Sequence, residues 1–284
     1  MNSEKTLPAR VLLDGLAYVE SARWHEGRLW FAHWGTDEII AVDLEGHSEV
    51  VAHGPGGLGW SIDWLPDGRL LTTGPGLMRH EPDGSVVPHA ELDRFGEGWN
   101  EIVVDGRGNI YVNGGTSFEL DDGDPPGLIV LITPDGEARQ VADKLSFPNG
   151  MVVTPDNRTL IVAESMAARL TAFDIGADGS LSNRRIWAAE VGADGICMDA
   201  DGAIWGGGEV MSTAFSRIAE GGARLETVEL DRSPFACALG GPDGRTLFIL
   251  AAEWRGFEQI EQAIADRTGR VLIVDAPAAR AGWP

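Results

Sequence analysis

Four oxygen-bearing side chains stand at a corresponding position of a pattern that recurs along the chain. Three of them lie eight residues before the turn residue of their repeat, and the fourth lies seven residues before it. Carboxylate and amide oxygens are hard ligands that suit Ca²⁺, Mg²⁺ or Mn²⁺, and two carboxylates balance a divalent charge. The set therefore predicts a divalent-metal site, whereas each residue alone could simply satisfy backbone groups at a strand end. The four residues are Glu20, Asn100, Asn149 and Asp194.

The recurring pattern is a tight turn rich in Asp, Asn and Gly, followed by a strand in which apolar residues alternate. Its six copies begin at residues 25, 66, 106, 155, 199 and 242, so successive starts are 40 to 49 residues apart. This spacing suits one four-stranded blade per copy, and radial repetition of such blades is typical of a β-propeller. The chain is therefore predicted to be all-β, with residues 1–284 forming a single six-bladed propeller that has an axial metal site. In such a ring the equivalent ends of the innermost strands converge on one axis, which would bring the four oxygen-bearing residues together.

The two end regions of the chain carry short apolar stretches at residues 9–13 and 270–274. Pairing these stretches within one blade would close the ring and remove exposed strand edges. We therefore expect the N-terminal and C-terminal strands to share a blade.

Four segments around the oxygen-bearing residues resemble the metal-binding segments of a known family. They read ESARW, WNEIVVDGRGNIYV, FPNGMVVTPD and ADGICMDADG, and they occupy residues 20–24, 99–112, 147–156 and 193–202. On these motifs the chain resembles the senescence-marker-protein, gluconolactonase and luciferin-regenerating-enzyme family, which includes regucalcin, over nearly its whole length. The resemblance implies a metal-binding propeller that hydrolyses lactones or related esters with one divalent cation, Ca²⁺ first and Zn²⁺, Mn²⁺ or Mg²⁺ as alternatives.

The resemblance also implies roles for individual residues. Glu20, Asn149 and Asp194 would bind the metal, and Asn100 would face either the metal or the substrate. Asp194 would in addition be the catalytic residue that orients or deprotonates the attacking water. A cation that polarises a carbonyl beside such a base fits hydrolysis of a lactone or an activated ester.

The substrate-contacting residues are predicted from a departure from the family pattern and from the abundance of Trp. Family members that act on sugar lactones tend to carry Arg two residues before the equivalent of Asn100, and here that residue is Gly98. A substrate less sugar-like than gluconolactone is therefore expected. The position that Glu20, Asn100, Asn149 and Asp194 share in their repeats is called the register position below. Aromatic side chains near it suggest a flat apolar pocket, although packing between blades is the alternative. The candidate contacts are Asn100, Trp24, Trp60, Trp99 and, in a loop, Glu119.

Composition narrows the choice of partners and chemistry. A net charge of −22 disfavours nucleic acid and anionic membranes, so the expected partner is a small-molecule substrate. No apolar run is long enough to span a bilayer, and a cytoplasmic location is the default expectation. Neither a helical zinc motif nor a Gly-x-Ser-x-Gly motif is present. Cys197 and Cys237 are expected to be buried free thiols, and the sequence leaves the oligomeric state open.

Two other function classes are compatible with the sequence. In one, the metal is structural or sensory and the propeller binds a ligand without catalysis. In the other, Asp194 or Glu20 acts as a base in an elimination, isomerisation or condensation on a hydrophobic substrate. A retained metal without turnover would favour the first class, and turnover without metal would favour the second.

Overall fold

The computed structural model describes residues 5–115, 124–207 and 212–284. In this part of the chain the strands form six sheets arranged as the blades of a β-propeller, which confirms the predicted fold class. The N-terminal strands are β1 (Lys5–Thr6) and β2 (Arg10–Leu16). Blade 1 contains β3 (Val19–His25), β4 (Arg28–His33), β5 (Glu38–Val42) and β6 (Ser48–His53). Blade 2 contains β7 (Ile62–Trp64), β8 (Leu70–Thr72), β9 (Leu77–His80) and β10 (Val86–Ala90).

The remaining strands continue the same order around the ring. Blade 3 contains β11 (Ile102–Val104), β12 (Ile110–Gly114), β13 (Gly127–Ile132) and β14 (Ala138–Leu145). Blade 4 contains β15 (Pro148–Val153), β16 (Thr159–Glu164), β17 (Arg169–Ile175) and β18 (Leu181–Ala189). Blade 5 contains β19 (Cys197–Asp199), β20 (Ile204–Gly207), β21 (Ala214–Ile218) and β22 (Arg224–Glu229). Blade 6 contains β23 (Ser233–Gly240), β24 (Thr246–Ala252) and β25 (Gly269–Asp275), and the last strand of the chain is β26 (Arg280–Ala281).

In the residues that the structure describes, helical structure is confined to short segments. A 3₁₀ turn follows β4 at Trp34–Thr36 and another follows β16 at Ser165–Ala167. Between β24 and β25, a 3₁₀ turn at Phe257–Gln259 leads into the helix α1 (Ile260–Asp266). Within the described ranges, no helix has the length and apolar character needed to cross a bilayer.

The end regions of the chain cover strand edges of blades 5 and 6. β2 pairs antiparallel with β25 and forms the outer edge of blade 6. β1 adds in parallel to β22, and β26 adds antiparallel to the innermost strand β19. These additions leave fewer unpaired backbone groups at the edges of the two sheets.

The turn of each repeat is encoded by neighbouring residues. Between β11 and β12, the Asp105 carboxylate accepts hydrogen bonds from the backbone N–H groups of Arg107 and Asn109 at 2.8 and 2.9 Å. Gly108 in the same turn has a φ of 82°, a conformation that glycine adopts without steric cost. Before β20 the Asp199 carboxylate likewise accepts hydrogen bonds from the backbone N–H groups of Asp201 and Ala203, at 3.0 and 3.1 Å. The repeat therefore specifies the first hairpin of a blade locally.

Apolar clusters fill the spaces between neighbouring blades. One cluster joins Phe31 of β4 to Phe248 of β24, and another joins Trp205 of β20 to Leu247 of β24. Because each blade buries both faces against its neighbours, the innermost strands are held at fixed distances around the axis. This packing positions the residues at which the strands begin.

Candidate functional site

Three of the register residues come together where the innermost strands begin. Glu20 lies near the start of β3, Asn149 near the start of β15, and Asp194 shortly before β19. The Asn149 side chain hydrogen-bonds Asp194, and the Asp194 charge is close enough to raise the pKa of Glu20. Glu20 and Asn149 are only 4% and 7% exposed, whereas Asp194 is partly exposed. The fold thus assembles one polar site from three blades.

The pKa values of the two carboxylates at this site are raised. Burial is the largest cause that raises the pKa of Glu20 well above its usual value, followed by the charges of Asp194 and Glu101. Burial and the Glu101 charge raise the pKa of Asp194 to about 8, although the hydrogen bond from Asn149 acts in the opposite direction. Crowded buried carboxylates of this kind are stabilised as anions when a cation lies between them.

The donor set fits a hard divalent cation held by mixed oxygen ligands. Across residues 5–115, 124–207 and 212–284, no group of three or more His, Cys, Asp and Glu residues could hold a metal ion. A cation at this site would therefore be shared by the two carboxylates of Glu20 and Asp194 and by amide oxygens. Ca²⁺ accepts such a set, and a thiolate-seeking metal does not.

Glu101 is a carboxylate beside the site, outside the proposed ligands, that the sequence reasoning missed. Its Oε2 atom lies 3.3 Å from Nη2 of Arg23, and its Oε1 atom accepts a hydrogen bond from the Ser61 hydroxyl at 2.9 Å. Arg23 also donates to the carbonyl oxygen of Ile102 at 2.8 Å. Glu101 and Arg23 are 4% and 7% exposed, so the pair is a buried ion pair beside the proposed ligands. The feature of the sequence that could have identified Glu101 is its position directly after Asn100.

Asn113 is a second missed residue, and it ties two register positions together. Its Nδ2 atom donates to the carbonyl oxygen of Asn149 at 2.7 Å, and its Oδ1 atom accepts from the backbone N–H of Glu101 at 3.1 Å. The backbone N–H of Asn100 donates to the Asn113 carbonyl at 2.9 Å. The structure therefore holds the Asn100 backbone beside Asn149, with the Asn100 side chain partly exposed. The sequence signal for Asn113 was a polar residue next to the end of the apolar strand β12.

Backbone contacts between blades fix the spacing of Asn149 and Asp194. The N–H of Gly150 donates to the Asp194 carbonyl at 3.1 Å, and the N–H of Gly195 donates to the Phe235 carbonyl at 2.7 Å. A Cβ atom on Gly150 would lie 2.6 Å from the Asp194 carbonyl oxygen, which is closer than a real side chain permits. Glycine after Asn149 and after Asp194 therefore allows three innermost strands to approach one another closely.

Trp60 and Trp99, both predicted to contact substrate, are buried between blades. Trp60 is fully buried, and its indole N–H donates to the Gly57 carbonyl at 3.1 Å. Trp99 is 1% exposed and fills the space beside Gly114, where an added Cβ would lie 2.9 Å from the indole. Both rings stabilise blade interfaces, the alternative that the sequence left open.

Trp24, the third tryptophan predicted to contact substrate, lies at the opposite end of β3 from Glu20. It follows Glu20 by four strand residues, a distance of roughly 13 Å along the axis. Its ring stacks on Phe248 at a centroid distance of 5.3 Å and lines a small cavity with Cys197 and Cys237. Glu119, the predicted loop acid, lies outside the described residues.

The aromatic side chains at the level of Glu20 form a different group from the one predicted. Tyr18, two residues before Glu20, contacts Trp34, Phe235 and Trp254. Phe235 comes directly before the register position of blade 6. In the sequence, the aromatic residues around Tyr18 could be recognised only by their closeness to the register residues.

Comparison with known proteins identifies the family. The family model described as "SMP-30/Gluconolactonase/LRE-like region" matches residues 18–253. Diisopropyl-fluorophosphatase of Loligo vulgaris is 28% identical over 204 residues, covering 61% of this chain and 65% of that protein. Regucalcin of Oryctolagus cuniculus is 29% identical over 189 residues, which is 60% of either chain. The chain thus matches less than two thirds of the length of these curated relatives.

Solved structures share the fold over almost the whole chain. A regucalcin of Agrobacterium tumefaciens, described as a calcium-binding protein, superposes with a TM-score of 0.76 at 20% identity and 99% coverage of both chains. A luciferin-regenerating enzyme superposes with a TM-score of 0.77 at 16% identity and 97% coverage of both. At such identities the likeness establishes the fold alone. Because the family model spans most of the chain and all four register residues, this protein belongs to the SMP-30/gluconolactonase/LRE-like family.

Proposed function

We propose that this protein is a metal-dependent hydrolase of lactones or related esters. The family contains hydrolases, among them gluconolactonases and diisopropyl-fluorophosphatase. The observation that carries the proposal is the convergence of Glu20, Asn149 and Asp194 on one partly exposed site. Their oxygen atoms and two negative charges suit a divalent cation beside a carboxylate that can act as a base.

Glu20, Asn149 and Asp194 would hold the cation, with Asn100 facing it or the substrate. Ca²⁺ is the first choice because all four side chains present hard oxygens, with Zn²⁺, Mn²⁺ and Mg²⁺ as alternatives. When bound, such a cation would polarise the carbonyl group of the substrate. It would also favour the ionised form of both carboxylates, whose pKa values burial raises.

The chain's own part in the reaction is proton transfer and orientation. Asp194 accepts a proton from water at a carboxylate oxygen while the water oxygen attacks the lactone carbonyl carbon. The bond between the carbonyl carbon and the ring oxygen then breaks, and the ring oxygen takes up a proton to give a hydroxy acid. The Arg23–Glu101 pair and Asn113 hold the surrounding backbone in place during these steps.

The substrate is proposed to be less sugar-like than gluconolactone. Gly98 has no side chain to contact sugar hydroxyls at the position where related sugar lactonases carry Arg. The aromatic group around Tyr18 adds an apolar surface at the level of Glu20. Apolar walls with a few polar groups are typical of sites for small organic molecules.

The test measures acid release by protein stripped of metal, before and after Ca²⁺, Mn²⁺, Zn²⁺ or Mg²⁺ is added. The substrates are gluconolactone, δ-valerolactone and dihydrocoumarin. We expect turnover only with metal and a preference for the last two substrates. Asp194→Asn should abolish turnover, whereas the matched variant Asp275→Asn, at an exposed strand end, should leave it unchanged.

The other outcomes of this test would overturn the proposal. Metal binding without hydrolysis of any substrate would favour a ligand-binding propeller, and turnover that persists without metal would favour acid–base chemistry by the carboxylates alone. A phosphofluoridate ester belongs on the panel because the Loligo relative is named for that activity. Hydrolysis of this ester but of no lactone would replace the lactonase assignment.

A further inference from the structure

The Tyr18 ring is held on several sides by other aromatic rings. Its centroid lies 4.8 Å from that of Phe235, 6.0 Å from that of Trp34 and 6.3 Å from that of Trp254. The Trp34 indole N–H donates to the Trp60 carbonyl at 2.8 Å, which anchors this ring to blade 2. Tyr18 is 4% exposed. Residues from blades 1, 2 and 6 therefore fix the direction in which the phenol points.

The Tyr18 backbone is held equally firmly, and in a conformation that side chains rarely adopt. Its φ is 25°, a value that costs free energy for any residue with a Cβ. The preceding N–H, from Ala17, donates to Nε2 of His33 at 2.7 Å, and the Tyr18 carbonyl accepts from the Trp34 N–H at 3.0 Å. Strain that the surrounding contacts maintain is concentrated at functional sites in proteins.

The Tyr18 hydroxyl has no acceptor in the part of the chain that the structure describes, although it lies next to two carboxylates. Burial, followed by the charges of Glu20 and Asp194, raises its pKa. Within the described residues this hydroxyl is not among the buried polar atoms that lack a partner, so solvent or a ligand can reach it. The second tyrosine of the chain differs, since the Tyr111 hydroxyl donates to the Gly179 carbonyl at 3.0 Å. An oriented donor beside the candidate site is therefore available to a ligand.

We propose that Tyr18 is a catalytic residue whose hydroxyl donates a hydrogen bond to the leaving oxygen of the bound lactone. This inference rests on the proposed hydrolase function. Asp194 already serves the attacking side of the reaction, where water loses its proton. The ring oxygen gains negative charge as its bond to the carbonyl carbon breaks, and it needs a donor at that moment. Tyr18 keeps its own proton, and the alkoxide is protonated by solvent as the hydroxy acid leaves.

If the Tyr18 hydroxyl assists the leaving oxygen, the loss of rate on removing this hydroxyl should depend on the leaving group. An alkoxide, released from δ-valerolactone, is far more basic than the phenolate released from dihydrocoumarin. A hydrogen bond to the developing alkoxide is consequently stronger than one to the phenolate. A purely structural role for Tyr18 would slow both reactions equally.

The experiment compares Tyr18→Phe with Tyr111→Phe, the same chemical change at a structural tyrosine, in Ca²⁺-loaded protein. We expect Tyr18→Phe to lower kcat on δ-valerolactone by about 10- to 100-fold, the worth of a hydrogen bond to a charged group. On dihydrocoumarin the loss should stay below about threefold, since a phenolate needs little assistance. Calcium affinity by calorimetry and the melting temperature should not change. Tyr111→Phe should lower the melting temperature and leave kcat on both substrates unaltered.

The possible failures are distinguishable. If the wild type hydrolyses both lactones and Tyr18→Phe slows neither, or slows both by the same factor, the Tyr18 role is overturned while the hydrolase function stands. If the wild type hydrolyses neither lactone with any metal, the proposed function fails, and the Tyr18 role falls with it.

Discussion

Asp194→Asn should make the metal-free protein more stable at neutral pH, although it should abolish hydrolysis. Without a bound cation, burial and the Glu101 charge hold the pKa of the Asp194 carboxyl at about 8. In the unfolded chain the same group ionises near pH 4. Between these values the unfolded state releases the proton and the folded state retains it, so the wild type loses stability as the pH rises. Asparagine has nearly the same shape and no proton to lose, so the variant escapes this loss.

The size of the effect follows from the displacement of the pKa. Each pH unit above pH 4 lowers the free energy of unfolding by at most about 1.4 kcal/mol per carboxyl, which sets a limit of about 4 kcal/mol at pH 7. Asp194 is partly exposed, so solvent stabilises part of its charge and reduces the effect. We therefore expect a gain of about 1 to 3 kcal/mol at pH 7 and of about 1 kcal/mol or less at pH 5.

Urea unfolding in EDTA at pH 5, 7 and 8 measures this difference. Asp275→Asn is the matched control, because it removes an exposed carboxylate at the end of β25 and should leave the pH dependence of the wild type intact. Addition of Ca²⁺ should stabilise the wild type and the control but not Asp194→Asn. The reasoning is refuted if Asp194→Asn is less stable than the wild type at pH 8, or if its stability falls with pH as steeply.

Three further predictions concern the network around the site and the axis. Arg23→Met should cost about 3 to 5 kcal/mol of stability because Glu101 is left as an unpaired buried charge, and Arg23→Met/Glu101→Met should recover most of it in urea unfolding; a double variant as unstable as the single one would contradict this. Burial lowers the pKa of His33, so the neutral imidazole should stabilise the fold above about pH 6.5, and this stability should be lost as the pH falls. His33→Gln should therefore reduce the dependence of the free energy of unfolding on pH below about pH 6.5; an unchanged dependence would contradict this prediction. Cys197 and Cys237, whose sulfur atoms lie 3.3 Å apart in the buried core, should react with Ellman's reagent only after unfolding; labelling of the native protein would exclude their burial.

The number of blades and the positions that correspond between blades could be predicted because both depend on local information. The turn at Asp105 is built from residues within the same short segment, and its counterparts recur at a spacing of 40 to 49 residues. Since a propeller places equivalent positions around one axis, the register alone was sufficient to bring Glu20, Asn149 and Asp194 together. Their roles in binding and catalysis remain predictions.

The orientation of side chains at equivalent positions could not be read in the same way. Trp60 occupies the register position of blade 2, yet its ring turns into the space between blades beside Gly54. Trp99, one residue before the register, does the same beside Gly114. Whether a residue at a strand start faces the axis or the neighbouring blade depends on the space that the neighbour leaves, and that neighbour is distant in sequence.

The sequence by itself determined the repeating unit, the number of repeats and the positions that are equivalent between them. Tertiary structure alone decided that Arg23 neutralises Glu101, 78 residues further along the chain, and that rings from blades 1 and 6 surround Tyr18. Periodicity identifies equivalent residues because each hairpin is encoded locally. It does not identify which of them touch, because such contacts form only when blades from distant parts of the chain pack around a common axis.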